Sequence, residues 1–104
     1  MRPKVKHINW HELIDLLESG EASYQYVDVR TPKEYDAGKL KEFINIPLQV
    51  LDRDMEDLDK GKPVVLICES GSRSISAARM LSKAEFSSIL NVRGGISILD
   101  KRYL

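Results

Sequence analysis

Five consecutive apolar residues, Val64, Val65, Leu66, Ile67 and Cys68, follow Gly61 and Pro63 and precede a polar turn, Glu69 to Arg73. A strand with one wet face alternates apolar and polar side chains. An unbroken apolar run closed by turn residues at both ends is instead the pattern of a strand covered on both faces, as at the centre of a parallel sheet. Parallel neighbours cannot be joined by tight turns and need crossovers, which helices ordinarily supply. The run therefore predicts a layered α/β protein.

The flanking signals agree, alternating strand with helix. Val5 to Ile8 reads as a short strand, and Asn9 is placed to cap the helix after it, with Glu12 at capping-box spacing. Trp10, Leu13, Ile14 and Leu17 recur on one helical face until Gly20 ends the pattern. Tyr24 to Val29, rich in aromatic and β-branched residues, is a second strand. Thr31, Pro32 and Glu34 start a short helix that stops at Gly38, and Phe43 to Ile46 is a third strand closed by Pro47. Leu48, Leu51, Met55 and Leu58 recur at helical spacing, with Asp52, Asp54, Glu56, Asp57 and Asp59 as the solvated face. Ser74 to Ala84 is predicted as a helix, Ser88 to Val92 as the last strand, Gly94 and Gly95 as a turn, and Ile96 to Leu99 as a closing helical turn. The expected architecture is a small, mostly parallel five-stranded sheet with helices on both faces.

Composition narrows the function. The 104 residues suit one domain spanning 1–104, and their single cysteine excludes an internal disulfide and a four-cysteine zinc site. A reducing, cytoplasmic setting is the expectation. Lys and Arg number 16, as do Asp and Glu, and the two signs are interspersed, so no basic stripe tracks a phosphate backbone and no nucleic-acid partner is expected. No apolar run approaches the roughly 18 residues of a membrane span. Met1 to Trp10 lacks the apolar stretch of a signal peptide. A soluble monomer without membrane contact is predicted.

The candidate site follows from the central strand. Ligands of open parallel sheets bind beyond the carboxyl ends of the strands. Cys68 closes the most apolar strand, and Glu69, Ser70, Gly71, Ser72 and Arg73 separate it from the next predicted helix. Gly71 permits a positive φ, and the short residues around it let amide N–H groups turn inward as an anion-binding nest. The amides and Arg73 place positive potential on the sulfur, while the Glu69 carboxylate works against it unless turned to solvent. An unpaired cysteine ending a core strand is ordinarily inert packing, but this loop suits a nucleophile. His7 and His11 read as surface or packing residues without a second ligand at metal spacing.

Four segments together resemble single-domain rhodaneses, sulfurtransferases that carry a sulfane sulfur as a cysteine persulfide. Cys68-Glu69-Ser70-Gly71-Ser72-Arg73-Ser74 is similar to the family's active-site loop, and Tyr26-Val27-Asp28-Val29-Arg30-Thr31-Pro32-Lys33-Glu34-Tyr35 to its N-terminal signature. Gly38-Lys39-Leu40 with Ile44-Asn45-Ile46-Pro47-Leu48, and Gly94-Gly95-Ile96, resemble its remaining two segments. The resemblance implies that Cys68 accepts the sulfur, that the amides of residues 69 to 73 cradle the persulfide and substrate anion, and that Arg73 contacts that anion or braces the loop. Asp28 and Arg30 are expected to form a strand-end ion pair, and Gly94 and Gly95 to let the last loop pass close to the site rim. A small sulfur donor, thiosulfate or a persulfide, and a thiol acceptor or sulfur-carrier protein are the implied partners, with no metal or organic cofactor. Three positions depart from the family pattern: Lys39 replaces its histidine, Lys41-Glu42-Phe43 replaces its Pro-Gly-Ala, and Leu99 stands where tryptophan is frequent. Glu69, in place of the familiar arginine, lowers the positive potential facing a dianion.

Two other readings compete. A cysteine phosphatase or arsenate reductase of related fold uses a Cys-to-Arg loop with one more residue, wide enough to wrap phosphate; here four residues separate Cys68 from Arg73. A non-catalytic interaction or regulatory domain could keep the fold alone.

Overall fold

The structure is a computed structural model and describes residues 4–20 and 23–104. The first three residues of the polar Met1 to Trp10 stretch lie outside the described residues. Five strands, β1 (Lys4–Ile8), β2 (Gln25–Asp28), β3 (Ile44–Asn45), β4 (Val64–Ile67) and β5 (Ser88–Val92), form one sheet in the order β1-β5-β4-β2-β3. Every neighbouring pair is parallel. This sharpens the expectation of a mostly parallel sheet.

The unbroken apolar run lies where its composition requires. β4 sits between β5 and β2, and Val64 to Ile67 have no exposed surface. Successive side chains of a strand point to opposite faces, so β4 feeds two cores. Val64, Leu66 and Cys68 pack with Leu51, Ala77, Ala78, Leu81 and Phe86 on one side. Val65 and Ile67 pack with Leu13, Leu40, Phe43 and Val92 on the other. Fully burying each such side chain contributes roughly 1.5–3 kcal/mol, and a polar residue at any β4 position would have no wet face to turn to.

Helices α1 (Trp10–Ser19) and α2 (Pro32–Ala37) begin as their sequences dictate. Asn9 with Glu12, and Thr31 with Glu34, each form a complete capping box, Pro32 occupies the first turn of α2, and Gly20 ends α1 at φ 66°. Helix α4 (Ser72–Lys83) corrects the expected start at Ser74. Gly71, at φ 105°, takes the N-cap position without a side-chain cap bond, so Ser72 and Arg73 belong to the first helical turn.

The segment after Pro47 also differs from the continuous helix expected. It is a 3-10 turn at Leu48–Val50, a short α3 (Leu51–Asp54) and a further 3-10 turn at Met55–Asp57. Acidic Asp52 and Glu56 would repel each other at i and i+4 of one helix, and Leu51 and Leu58 satisfy the core without it. β3 is shorter than the expected Phe43 to Ile46, although the chain stays beside β2 past Asn45: Asn45 Nδ2 bonds the carbonyls of Asp28 and Arg30, and the Ile46 and Leu48 amides bond those of Asp28 and Val29. The closing turn is a 3-10 turn, Ile96–Ile98. No helix among the described residues is long and apolar enough to cross a membrane.

Candidate active site

Cys68 follows the last residue of β4 and has no exposed surface. Its Sγ receives the Gly71 amide at 3.0 Å and the Ser74 amide at 3.3 Å. The thiol donates to Ser74 Oγ at 3.3 Å, and that hydroxyl donates in turn to the Gly71 carbonyl at 3.0 Å. The loop thus folds over the sulfur with two backbone donors aimed at it. Such donors can serve an anionic sulfur without reorganisation.

A second loop clamps the first from outside. The amides of Ile96 and Ser97 donate to the carbonyls of Cys68 and Glu69 at 2.9 and 2.8 Å. This approach requires Gly95, at φ 61°, because a Cβ there would lie 2.3 Å from the Cys68 carbonyl oxygen and 2.7 Å from the Glu69 carbonyl carbon. Gly94 is different in kind: a Cβ would meet only the Ile98 side chain, at 2.7 Å. Gly71 and Gly94 bring the two loops into contact, since a Cβ on Gly71 would stand 3.4 Å from the Gly94 amide.

Two ion pairs frame the loop. Asp28 and Arg30 are both buried, and Arg30 Nε and Nη2 bond the Asp28 carboxylate at 2.9–3.1 Å. Arg30 Nη2 also donates to the Gly38 carbonyl at 2.7 Å, and Nη1 reaches Glu69 Oε1 at 3.4 Å. Burial alone would weaken the charge of this guanidinium; the hydrogen bond and charge of Asp28, with Glu69, outweigh it and hold the pKa above its ordinary value. Arg73 forms a two-bond fork on Glu34, Nη1 to Oε1 at 2.6 Å and Nη2 to Oε2 at 2.8 Å. Arg73, then the Thr31 amide, hold the Glu34 carboxyl down to about 2. The Arg73 guanidinium is raised in turn, first by its bond to Glu34.

The fold therefore gathers Cys68, residues 69 to 73, Asp28, Arg30, Gly94 and Gly95 at the carboxyl end of the sheet. Among the described residues, only Gly71 of the expected cradle donates an amide to the sulfur; the second donor is Ser74, the expected helix start. Ser70 and Ser72 are exposed. Arg73 sits as a brace between α4 and α2. Glu34, expected from its spacing only as a cap, also receives Arg73. Lys39 places its ammonium 4.6 Å from the centre of the Tyr35 ring, a cation–π contact beside the site. A cleft of about 420 Å³ opens alongside, lined by Arg30, Glu34, Glu69, Ser97, Leu99 and Lys101 among others. Among the described residues no group of three or more His, Cys, Asp or Glu converges on a possible metal position.

A parallel sheet whose central strand delivers a cysteine into an amide-lined loop ahead of a helix defines a class of α/β domains with an anion-binding cysteine loop. Comparison with known proteins gives the class its family. Residues 9–99 match the Rhodanese-like domain, and the chain belongs to that family. It is 36% identical over 70 residues to a protein named sulfurtransferase from Allochromatium vinosum, covering 67% of this chain and 65% of that one. It is 33% identical to YtwF of Bacillus subtilis over 89% of this chain and 88% of that protein. Among solved structures, a rhodanese-related protein from Thermoplasma volcanium superposes with a TM-score of 0.78 at 33% identity, covering 88% of this chain and 87% of its own. Rhodanese-like relatives support a sulfurtransferase type of function in general.

Proposed function

We propose that this chain is a single rhodanese-like domain that transfers sulfane sulfur through a persulfide on Cys68. The observation that carries the reading is the pair of backbone donors, Gly71 and Ser74, directed at Sγ from the end of β4. In the first half-reaction the Cys68 thiolate attacks the outer sulfur of thiosulfate or of a persulfide, the donor's S–S bond breaks, and sulfite or a thiolate leaves with the bonding electron pair. In the second, an acceptor thiolate, small or on a sulfur-carrier protein, attacks the outer sulfur of the Cys68 persulfide and restores the Cys68 thiolate. No external oxidant is needed, since one S–S bond is exchanged for another. Gly71 and Ser74 hold the inner sulfur in place through both halves, and Gly95 fixes the loop that carries them.

Cys68 is covered in this conformation, so a donor's sulfur reaches it only once that cover is displaced, the Gly71 and Ser74 amides remaining on Sγ. The Cys68 backbone itself is anchored by the Ile96 amide. Intact mass spectrometry after incubation with thiosulfate or glutathione persulfide tests the reading. One added sulfur on the wild-type chain, absent from Cys68→Ser, is the expected result; an unchanged mass with every donor refutes it and leaves a non-catalytic domain.

A further inference from the structure

The charges around the loop are arranged to a purpose that sulfur transfer in general does not require. On the Glu69 side of the loop both arginines are tied to carboxylates, whereas the exposed Arg93 lies on the other side, beside Ser70, Gly71 and Ser72. Arg73 is held on both carboxylate oxygens of Glu34, and Arg30 has partners for all but one of its N–H donors in Asp28, Gly38 and Glu69. Glu69, adjacent to the reacting cysteine, has 44% of its side chain exposed and uses only Oε1, on Arg30. Its Oε2 has no partner among the described residues. Lys101, exposed and unpaired among the described residues, lines the same cleft. The cleft, at about 420 Å³, falls within the roughly 300–1,000 Å³ of sites that take organic ligands.

Resting on the sulfurtransferase reading, we infer that Glu69 selects the sulfur donor, a persulfide on a zwitterionic amino-acid or short-peptide thiol, over a compact inorganic dianion. A free carboxylate oxygen on the residue that follows Cys68 accepts an ammonium group and repels a dianion; Lys101 supplies the opposite charge for the donor's carboxylate. The pair reads a positive and a negative group on one small molecule. Thiosulfate offers only negative charge, so in this cleft it can use Lys101 but is repelled by Glu69, and the one arginine that lines the cleft, Arg30, is already held by Asp28 and Glu69. The step balances as follows: the Cys68 thiolate bonds to the outer sulfur of R–S–SH, the bond to the inner sulfur breaks, and R–S⁻ leaves with that electron pair and takes a proton from solvent.

Four donors separate the contributions: cysteine persulfide, its des-amino analogue (3-mercaptopropionate persulfide), its decarboxylated analogue (cysteamine persulfide) and thiosulfate. Loading of Cys68 is followed by rapid-quench mass spectrometry on the wild-type chain, Glu69→Gln and Lys101→Gln. Because donors differ in leaving-group basicity, each is read as its ratio between wild type and variant. Loss of the ammonium contact should lower kcat/KM for the amino-bearing donors about tenfold in Glu69→Gln, while the des-amino donor and thiosulfate load faster than on wild type. Lys101→Gln should slow the carboxylate-bearing persulfides several-fold and spare cysteamine persulfide. Equal scaling of all donors in Glu69→Gln overturns the selectivity while leaving sulfur transfer intact. Failure of every donor to add sulfur to Cys68 overturns the transfer reading itself.

Discussion

Arg73 and Glu34, far apart in sequence, meet through two parallel hydrogen bonds of 2.6 and 2.8 Å that tie the first turn of α4 to the first turn of α2. The arginine nearest the cysteine loop is thereby occupied as a brace. Glu34 serves two functions at once, closing the capping box on Thr31 and receiving Arg73.

The brace should show in the pH dependence of stability. The Glu34 carboxyl titrates near 2 in the folded chain against an ordinary 4.5. A depressed folded value means stability that is fully present above about pH 4.5 and is lost as the pH falls toward 2. Both side chains are about one-third exposed, so solvent screening reduces the effect to about 1 kcal/mol. Urea titrations of Glu34→Gln should show this loss at pH 7 and a flatter decline between pH 5 and 2.5 than wild type. Parallel acid limbs would show that the fork contributes nothing.

The two glycines of the last loop should respond differently to alanine. Gly95→Ala drives a Cβ into the Cys68 carbonyl and the Glu69 backbone, which cannot move without opening the site; a loss of about 3 kcal/mol or more is expected. Gly94→Ala meets only the end of Ile98, a half-exposed side chain that can rotate away, and should lose about 1 kcal/mol from its positive φ. Denaturant midpoints of the two variants decide this. Equal losses would mean that the close approach at Gly95 is not what restrains the loop.

Local signals made most of this fold readable in the sequence. The β4 run, both capping boxes and Gly20 each declare themselves within a few residues, and they placed Cys68 at a strand end. The features that escaped depend on distant partners or on the lack of a side chain. Gly71 caps α4 without any side-chain signature, so the helix start shifted by two residues and Ser74 was not read as a partner of the sulfur. Glu34 and Arg73 lie 39 positions apart, and no periodicity joins them. The Leu48 to Leu58 spacing looked helical because spacing alone does not register the repulsion of Asp52 and Glu56.

The Asp28–Arg30 pair should be a strict structural requirement. Both side chains are almost wholly buried, and Asp28 supplies most of the partners of the guanidinium. Removing Asp28 leaves the buried guanidinium with only the longer contact to Glu69 as a counter-charge, at a cost of about 3–5 kcal/mol. Asp28→Asn should therefore yield a largely unfolded chain at 37 °C, while replacement of both residues by apolar ones recovers folding. Circular dichroism melts of the single and double variants check this; a single variant as stable as wild type would show that solvent reaches Arg30.

Ser74 offers a test of the sulfur site that does not disturb the frame. Its hydroxyl accepts from the thiol and donates to the Gly71 carbonyl, while its amide donates to Sγ independently of the side chain. Ser74→Ala removes the hydroxyl and keeps the amide. A buried carbonyl at Gly71 then loses a partner, costing about 1–2 kcal/mol of stability, which a domain of this size tolerates. If the hydroxyl re-aims toward the anionic sulfur during transfer, single-turnover loading of Cys68 by glutathione persulfide should slow about tenfold, with donor affinity unchanged. Ser74→Thr, which retains the hydroxyl, should recover most of the rate. Loading of Ser74→Ala at the wild-type rate would assign the work of holding the sulfur to the Gly71 and Ser74 amides alone.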